Sequence, residues 1–179
     1  MSGAVVWVTG LPASGKSTFA RALGEALRAR GTAVAVLDGD EVRTALSPAP
    51  GYGTEERAAF YATLADLAAL LAGQGLVVVV AATGHRRAFR ERARARARRY
   101  LEVFVDVPAE VCAGRDTKGL WAAARGGEAP ELPGAGVAYE APRAPEVVAR
   151  GGRDAAALER VVALLAAEPA LGGRPKPGA

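Results

Sequence analysis

The sequence has little cysteine, histidine or aromatic residue, and it has no long uninterrupted apolar run. One of the 179 residues is cysteine (Cys112) and one is histidine (His85), which excludes an internal disulfide and a four-ligand zinc site built from them. A lone cysteine favours a reducing compartment, so a cytoplasmic location is expected. No apolar run reaches the length of about 18 residues that crosses a bilayer. No basic segment precedes an apolar one at the start, so we predict no signal peptide and no membrane contact.

Aliphatic residues dominate instead, since 50% of the residues are hydrophobic but only 6% are aromatic. This composition is typical of an α/β protein with a buried parallel sheet. The length suits one domain, which we place at residues 1–167 with a lid at about 116–145. Residues 168–179 hold three prolines and three glycines and are predicted to be a disordered tail.

The positive charge is concentrated in one segment. The chain has a net charge of +4, yet residues 86–99 contain eight arginines and one glutamate. The rest of the chain is therefore slightly acidic. Because the arginines alternate mainly with alanine, a solvated helix face is favoured over a surface for stacking bases. We predict no nucleic-acid partner.

The clearest motif is Gly10-Leu11-Pro12-Ala13-Ser14-Gly15-Lys16-Ser17, which follows the apolar run 4–8 and precedes a helical pattern. It matches G-x-x-x-x-G-K-[ST], the phosphate-binding loop, in the strand–loop–helix context that this loop requires. Backbone N–H groups and the start of the helix favour a polyphosphate there. Lys16 is predicted to bridge the β- and γ-phosphates of ATP, and Ser17 to bind Mg²⁺. The predicted nucleotide-binding residues are Gly10, Pro12, Ala13, Ser14, Gly15, Lys16, Ser17 and Thr18.

Apolar patterning predicts strands that alternate with helices. The strands are predicted at 4–8, 33–37, 76–82, 102–107 and 146–149. The helices are predicted at 17–30, 41–46, from Thr54 to about 71, at 86–99, 108–115 and 120–125, and after Asp154. Thr54 and Asp154 are interpreted as N-caps, and Pro108 as the first residue of its helix. This order predicts a three-layer α/β fold of the P-loop NTPase (nucleoside-kinase-like) type, with a five-stranded parallel sheet and a lid.

Two aspartates follow the second predicted strand. Carboxyl ends of parallel strands meet at one edge of the sheet, so Asp38 and Asp40 are expected beside the phosphate loop. One carboxylate there can hold Mg²⁺ and the other can take a proton from an attacking hydroxyl. The alternative is that Asp38-Gly39-Asp40 is only a turn.

The chain resembles the adenylylsulfate kinase (APS kinase) family over about residues 3–149, on a series of spaced segments. These segments are Leu37-Asp38-Gly39-Asp40-x-Val42-Arg43, Gly51-Tyr52, Glu55-Glu56-Arg57, Arg87-x-x-Arg90-x-x-Ala93-Arg94, Val103 to Cys112, Arg115-Asp116-x-Lys118-Gly119-Leu120-Trp121, Ala124-Arg125 and Tyr139-Glu140-Ala141-Pro142.

The resemblance implies that MgATP phosphorylates the 3′-hydroxyl of adenosine 5′-phosphosulfate, and that the protein is a homodimer. It implies that Asp40 is the base or the residue that orients the acceptor hydroxyl, that Asp38 lies near the metal and that Asp116 anchors the lid. Lys118 and the Tyr139 region would belong to that lid. By family position the catalytic residues are Lys16, Asp38, Asp40 and Arg115, and the metal ligands are Ser17 and Asp38. The substrate-binding residues are Asp40, Arg43, Tyr52, Arg57, Phe60, Thr83, Lys118 and Leu132.

Several positions on the acceptor side depart from the family pattern, whereas the ATP side is intact. A family asparagine is Phe60, two arginines are Ala62 and Thr63, and an adenine-stacking phenylalanine is Leu132. The family segment Phe-Ile-Ser-Pro-Tyr-Arg is Ala82-Thr83-Gly84-His85-Arg86-Arg87 here. Two alternatives therefore stay open: a related kinase with another small alcohol as acceptor, and a nucleotide-binding regulatory protein without phosphotransfer.

Three single residues have competing interpretations, and a fourth, Trp7, has one. His85 is either a proton shuttle or, by preference, a plain loop histidine, and Cys112 is either a redox switch or, by preference, a core residue. Trp121 is equally compatible with packing on the nucleotide and with anchoring the lid. Trp7 is predicted to lie in the core.

Overall fold

The computed structural model describes residues 3–127 and 131–167; the predicted tail and three residues of the predicted lid lie outside these ranges. The strands are β1 (Ala4–Thr9), β2 (Val34–Asp38), β3 (Val77–Ala81), β4 (Tyr100–Val105) and β5 (Val147–Ala149). The helices are α1 (Lys16–Ala29), α2 (Gly39–Ala45), α3 (Thr54–Gly73), α4 (Arg87–Arg96), α5 (Ala109–Gly114), α6 (Leu120–Arg125) and α7 (Ala155–Ala166). No helix in the described ranges is long and apolar enough to cross a membrane.

The five strands form one parallel sheet in the order β2-β3-β1-β4-β5, which confirms the predicted fold class. β1 lies at the centre, where Val5 is level with Val78 of β3 on one side and with Tyr100 of β4 on the other. Every residue of β1 and β3 is buried, as the runs of β-branched valine suggest for strands covered on both faces.

Alternate residues of β1 enter two apolar clusters, one on each side of the sheet. Val6 and Val8 pack with α1 and α7, whereas Val5 and Trp7 pack with α3 and α4. The three layers of the fold follow from this period of two. Trp7 and Cys112 are both fully buried, which confirms that they are core residues.

Several predicted boundaries were wrong by one to three residues. Gly53, not Thr54, is the N-cap of α3, because its carbonyl oxygen accepts the first helical bond, from the N–H of Arg57. Pro108 is likewise the N-cap of α5, one residue before the helix begins. β4 covers Tyr100–Val105 rather than 102–107, because pairing with β1 starts at Tyr100. The N-cap role of Asp154 is confirmed by its bond from the N–H of Ala157.

The arginine-rich segment 86–99 is not simply a solvated face, and its helix ends at Arg96. Arg90 is buried and lies 2.6 Å from Glu102, and most of the other arginines bind acidic or carbonyl oxygens. These pairs are Arg94 with Glu146, Arg92 and Arg96 with Asp66, and Arg99 with carbonyl oxygens of Leu164, Leu165 and Ala167. The segment therefore fastens α3, β4, β5 and α7 together.

Candidate functional site

The carboxyl ends of β1, β2 and β3 open into a single cavity of about 990 Å³. Residues 116–118, 120 and 131–133 of the predicted lid segment also line this cavity. All the predicted site residues except Gly10 and Ser14 line it. These are Pro12, Ala13, Gly15, Lys16, Ser17, Thr18, Asp38, Asp40, Arg43, Tyr52, Arg57, Phe60, Thr83, Arg115, Lys118 and Leu132. The structure thus brings together residues that are more than a hundred positions apart in sequence.

The phosphate loop curls at the start of α1. Gly15 is the N-cap of that helix and has a φ of 101°, a left-handed conformation that favours glycine. Lys16 donates from Nζ to the carbonyl oxygen of Leu11 at 2.8 Å. Burial lowers the pKa of Lys16 to about 8, and Asp40 opposes this shift. The hydroxyl of Ser14 is buried without a hydrogen-bond partner among the described residues, as expected of a loop shaped for an anionic ligand.

Asp38 and Asp40 occupy the end of β2 and the first turn of α2. Asp38 caps α2 by accepting from the backbone N–H of Asp40 at 3.0 Å, so the segment is a helix start as well as part of the cavity wall. Asp40 Oδ2 lies 2.5 Å from Lys118 Nζ, and this hydrogen bond raises the pKa of Lys118. Asp38 and Ser17 both line the cavity. Carboxylate and hydroxyl oxygens, which these residues offer, are the kinds of atom that Mg²⁺ prefers as ligands.

Two buried arginines form the far wall of the cavity. Arg43 Nη1 donates to the carbonyl oxygens of Pro50 and Gly51 at 2.9 and 2.5 Å. Arg57 Nη1 donates to the carbonyl oxygen of Glu131 at 3.0 Å, and its Nη2 lies 3.6 Å from the carboxylate of that residue. Guanidinium groups held in this way match the geometry of phosphate and sulfate oxygens.

The lid is fastened to the phosphate loop by Trp121. Its indole Nε1 donates to the carbonyl oxygen of Pro12 at 3.1 Å, and its side chain is buried, so the structure favours the anchoring interpretation. Asp116 fixes the start of α6, because its carboxylate accepts from the backbone N–H groups of Leu120, Trp121 and Ala122. Leu132 is buried in the apolar cluster that also contains Trp121.

His85 lies behind the cavity rather than in its wall. It is buried against the rings of Tyr61 and Phe89, with ring centroids 6.3 and 5.3 Å away. Burial is the largest cause that lowers the pKa of His85, to about 4, and Arg57 and Arg86 add to it. A histidine that stays neutral and does not face the cavity suits the packing role better than proton transfer.

A second cavity, of about 590 Å³, lies on the other side of the phosphate loop and was not predicted from the sequence. Its wall combines Ala13, Gly15, Thr18 and Arg115 with Arg150, Gly151, Gly152, Arg153 and Asp154. Gly152 packs directly on Gly15, because a Cβ built on Gly152 would lie 2.6 Å from the carbonyl oxygen of Gly15. The topology of the sheet could have predicted this cavity, because residues 150–153 follow the carboxyl end of β5, at the edge where parallel sheets bind ligands.

Comparison with known proteins gives one consistent family. The family described as adenylylsulphate kinase matches residues 2–150. The adenylyl-sulfate kinase of Enterobacter sp. (strain 638) is 43% identical over 147 residues, which are 81% of this chain and 73% of that protein. The probable bifunctional SAT/APS kinase 2 of Sorangium cellulosum is 42% identical over 179 residues, 100% of this chain but 31% of that protein. The chain therefore spans under a third of the bifunctional relative.

A solved structure agrees with these matches. The APS kinase CysC of Mycobacterium tuberculosis, in complex with AMPPNP and APS, is similar with a TM-score of 0.84 and 34% sequence identity. The similarity covers 93% of this chain and 99% of that chain.

Proposed function

Because this chain belongs to the adenylylsulphate kinase family, we propose that it transfers the γ-phosphate of ATP to the 3′-hydroxyl of adenosine 5′-phosphosulfate. The products are 3′-phosphoadenosine 5′-phosphosulfate and ADP. The observation that carries the proposal is the single cavity in which a phosphate loop, two aspartates and two buried arginines meet. The similar structure from Mycobacterium tuberculosis, in complex with AMPPNP and APS, supports the same pair of ligands.

The donor nucleotide fits the phosphate-loop side. Backbone N–H groups of the loop and the start of α1 bind the phosphates, and the buried hydroxyl of Ser14 can give them a further contact. When ATP binds, Lys16 Nζ exchanges its hydrogen bond to the carbonyl oxygen of Leu11 for contacts with the β- and γ-phosphates. The second cavity, with Arg115 and Arg153, suits the remainder of ATP.

The oxygen ligands of Ser17 and Asp38 would hold Mg²⁺, which neutralises phosphate charge when it is bound. The described residues contain no group of three histidine, cysteine or acidic side chains that could hold a metal ion by themselves. This fits a metal that takes only one or two ligands from the protein and the others from phosphates and water.

Asp40 is the general base of the proposed reaction. Its carboxylate takes the proton of the acceptor hydroxyl while the oxygen attacks the γ-phosphorus, and the bond to the β–γ bridging oxygen breaks. Lys118 holds this carboxylate until the acceptor replaces it. The lid, fastened by Trp121, keeps water from the γ-phosphate.

The test is ADP release from MgATP with adenosine 5′-phosphosulfate as acceptor, against a panel of other small alcohols and nucleosides. Saturable turnover that needs the phosphosulfate supports the proposal. If only another acceptor is phosphorylated, the proposal is wrong and the protein is a kinase for a different small alcohol. If no acceptor in the panel is phosphorylated, a regulatory nucleotide-binding protein is favoured.

We also propose that the protein is a cytoplasmic homodimer. The cytoplasmic location is supported by the lone, buried thiol of Cys112, which forms no disulfide. The dimer rests on the family resemblance alone, and the molar mass measured by light scattering during gel filtration tests it.

A further inference from the structure

Arg43 differs from the other two buried arginines of the described residues because no carboxylate pairs with it. Arg57 lies 3.6 Å from Glu131, and Arg90 lies 2.6 Å from Glu102. Within the described residues, no such ion pair involves Arg43, although its side chain is equally buried. A buried cation without an anion is costly unless a ligand supplies one. Arg43 therefore marks the point in the cavity where an anionic group of the acceptor fits.

Two aromatic rings and two carbonyl oxygens fix the guanidinium of Arg43. Its Cζ lies 3.9 Å from the ring centroid of Phe60 and 4.4 Å from that of Tyr52. Both carbonyl bonds use Nη1, and Nε and Nη2 have no hydrogen-bond partner among the residues that the structure describes. These two nitrogens form the fork that binds two oxygens of a phosphate or sulfate group.

The two rings differ in how firmly they are held. The side chain of Tyr52 is 59% exposed, whereas that of Phe60 is 3% exposed and packs edge-on against Tyr61 at 5.5 Å. Phe60 is a residue of α3 whose side chain is part of the apolar core. It therefore offers Arg43 a ring face whose position does not depend on ligand binding. A phenyl ring cannot donate a hydrogen bond to an anion, so any effect of Phe60 on that anion passes through Arg43.

We propose that Phe60 is a positioning residue that aims the guanidinium of Arg43 at the anionic group of the acceptor, an assignment that rests on the proposed function. The cation–π contact replaces the direct polar contact that an amide at this position would make. In the acceptor site of this chain, the ring of Phe60 therefore holds the guanidinium of Arg43 in position.

The first test compares three variants in steady-state kinetics. F60L keeps an apolar side chain of similar size but removes the ring face, so KM for adenosine 5′-phosphosulfate is expected to rise by about fivefold to thirtyfold. KM for MgATP and kcat are expected to change little. F60Y keeps an aromatic ring at this position, and its KM for adenosine 5′-phosphosulfate is expected to match that of the wild type.

F89L is the matched control, because Phe89 stacks on Tyr61 at 4.8 Å in the same apolar cluster but is not among the rings that contact Arg43. An F60L variant with the wild-type KM, or an F89L variant with the same defect as F60L, overturns the assignment.

The second test isolates the anion and needs no turnover. Calorimetry would compare the binding of adenosine 5′-monophosphate and of adenosine to the wild type and to F60L. The variant is expected to bind the monophosphate more weakly and adenosine as before, because only the first ligand has an anion for Arg43. Equal weakening of both ligands would show that Phe60 only fills space. If the wild type does not phosphorylate the phosphosulfate, the proposed reaction fails, yet this comparison still decides the role of Phe60.

Discussion

The proposed donor and acceptor halves of the cavity are built by different means. On the donor side, residues 10–17 present mainly backbone N–H groups at the start of α1, and the whole motif is contiguous. On the acceptor side, the contacts come from side chains on separate segments, such as Arg43 on α2 and Arg57 on α3. A backbone-built site depends on the few positions that set the conformation of the loop, such as Gly15, whereas a site built from side chains changes with each residue that is replaced.

The substitutions in this chain follow that division. Phe60 and Leu132 stand where the family has other residues, yet both are buried and leave the sheet and the phosphate loop intact. The resemblance therefore predicts that the acceptor half departs from the family pattern while the donor half keeps it. Mutations that affect one half and spare the other are the way to test this separation.

The largest effect is expected at Asp40, which belongs to neither half alone. D40A is expected to lower kcat by about 10²–10⁴-fold, because the attacking hydroxyl loses its base, while the Kd for MgATP changes little. Activity is measured by ADP release and binding by calorimetry. K118M is the control, since it breaks the Lys118–Asp40 pair but keeps the carboxylate. Unchanged turnover in D40A removes Asp40 from the catalytic role.

A smaller effect, confined to the donor half, is expected from G152A. The added Cβ would lie 2.6 Å from the carbonyl oxygen of Gly15 and 2.9 Å from Cβ of Thr18, so the contact between residues 150–153 and the phosphate loop must change. Overpacking of this kind costs about 1–3 kcal/mol, and KM for MgATP is expected to rise accordingly. KM for the acceptor should stay as it is. G73A is the control, because a Cβ on Gly73 meets nothing within 4 Å. An equal rise of both KM values in G152A would contradict the separation of the halves.

A higher pH is expected to weaken the use of MgATP by the donor half and to leave binding of the acceptor unchanged. The pKa of Lys16 is lowered to about 8, so its ammonium loses its proton as the pH rises through that value in the free protein. We expect kcat/KM for MgATP to fall by about thirtyfold between about pH 7 and 9.5, since this ratio reports groups of the free enzyme. Binding of the acceptor should show no such step, because arginines stay charged. K16R stays cationic in this range, and its residual activity should be flat; a step that persists in K16R would assign the titration to another group.

The sheet and the donor half were predictable because their signals are local. The valine-rich β3 and the phosphate loop each occupy a short contiguous segment whose physical reason is visible in the sequence. Asp38 and Asp40 were placed correctly beside the loop, since the carboxyl ends of parallel strands meet at one edge.

The remaining features depend on contacts between distant segments, which the sequence does not display. No periodicity indicates that Gly152 packs on Gly15, or that Arg90 pairs with Glu102. The support of Arg43 by Phe60 joins α2 to α3 in the same way. At Phe60 the resemblance predicts substrate contact, and the structure places this side chain both in the cavity wall and against Arg43.

The smallest effect is expected at Trp121, and it would show whether the lid belongs to the donor half. W121F keeps the buried ring but loses the hydrogen bond from Nε1 to the carbonyl oxygen of Pro12. One such bond contributes about 1 kcal/mol, so KM for MgATP should rise by a few-fold. W7F is the matched control, since it removes a comparable bond from Trp7 Nε1 to the carbonyl oxygen of Ala82 inside the core. W7F should lower the Tm without changing KM for MgATP, because no part of the phosphate loop is held by that bond. If W121F instead raises KM for the acceptor alone, the lid is coupled to the acceptor half, and the division between backbone-built and side-chain-built sites does not extend to it.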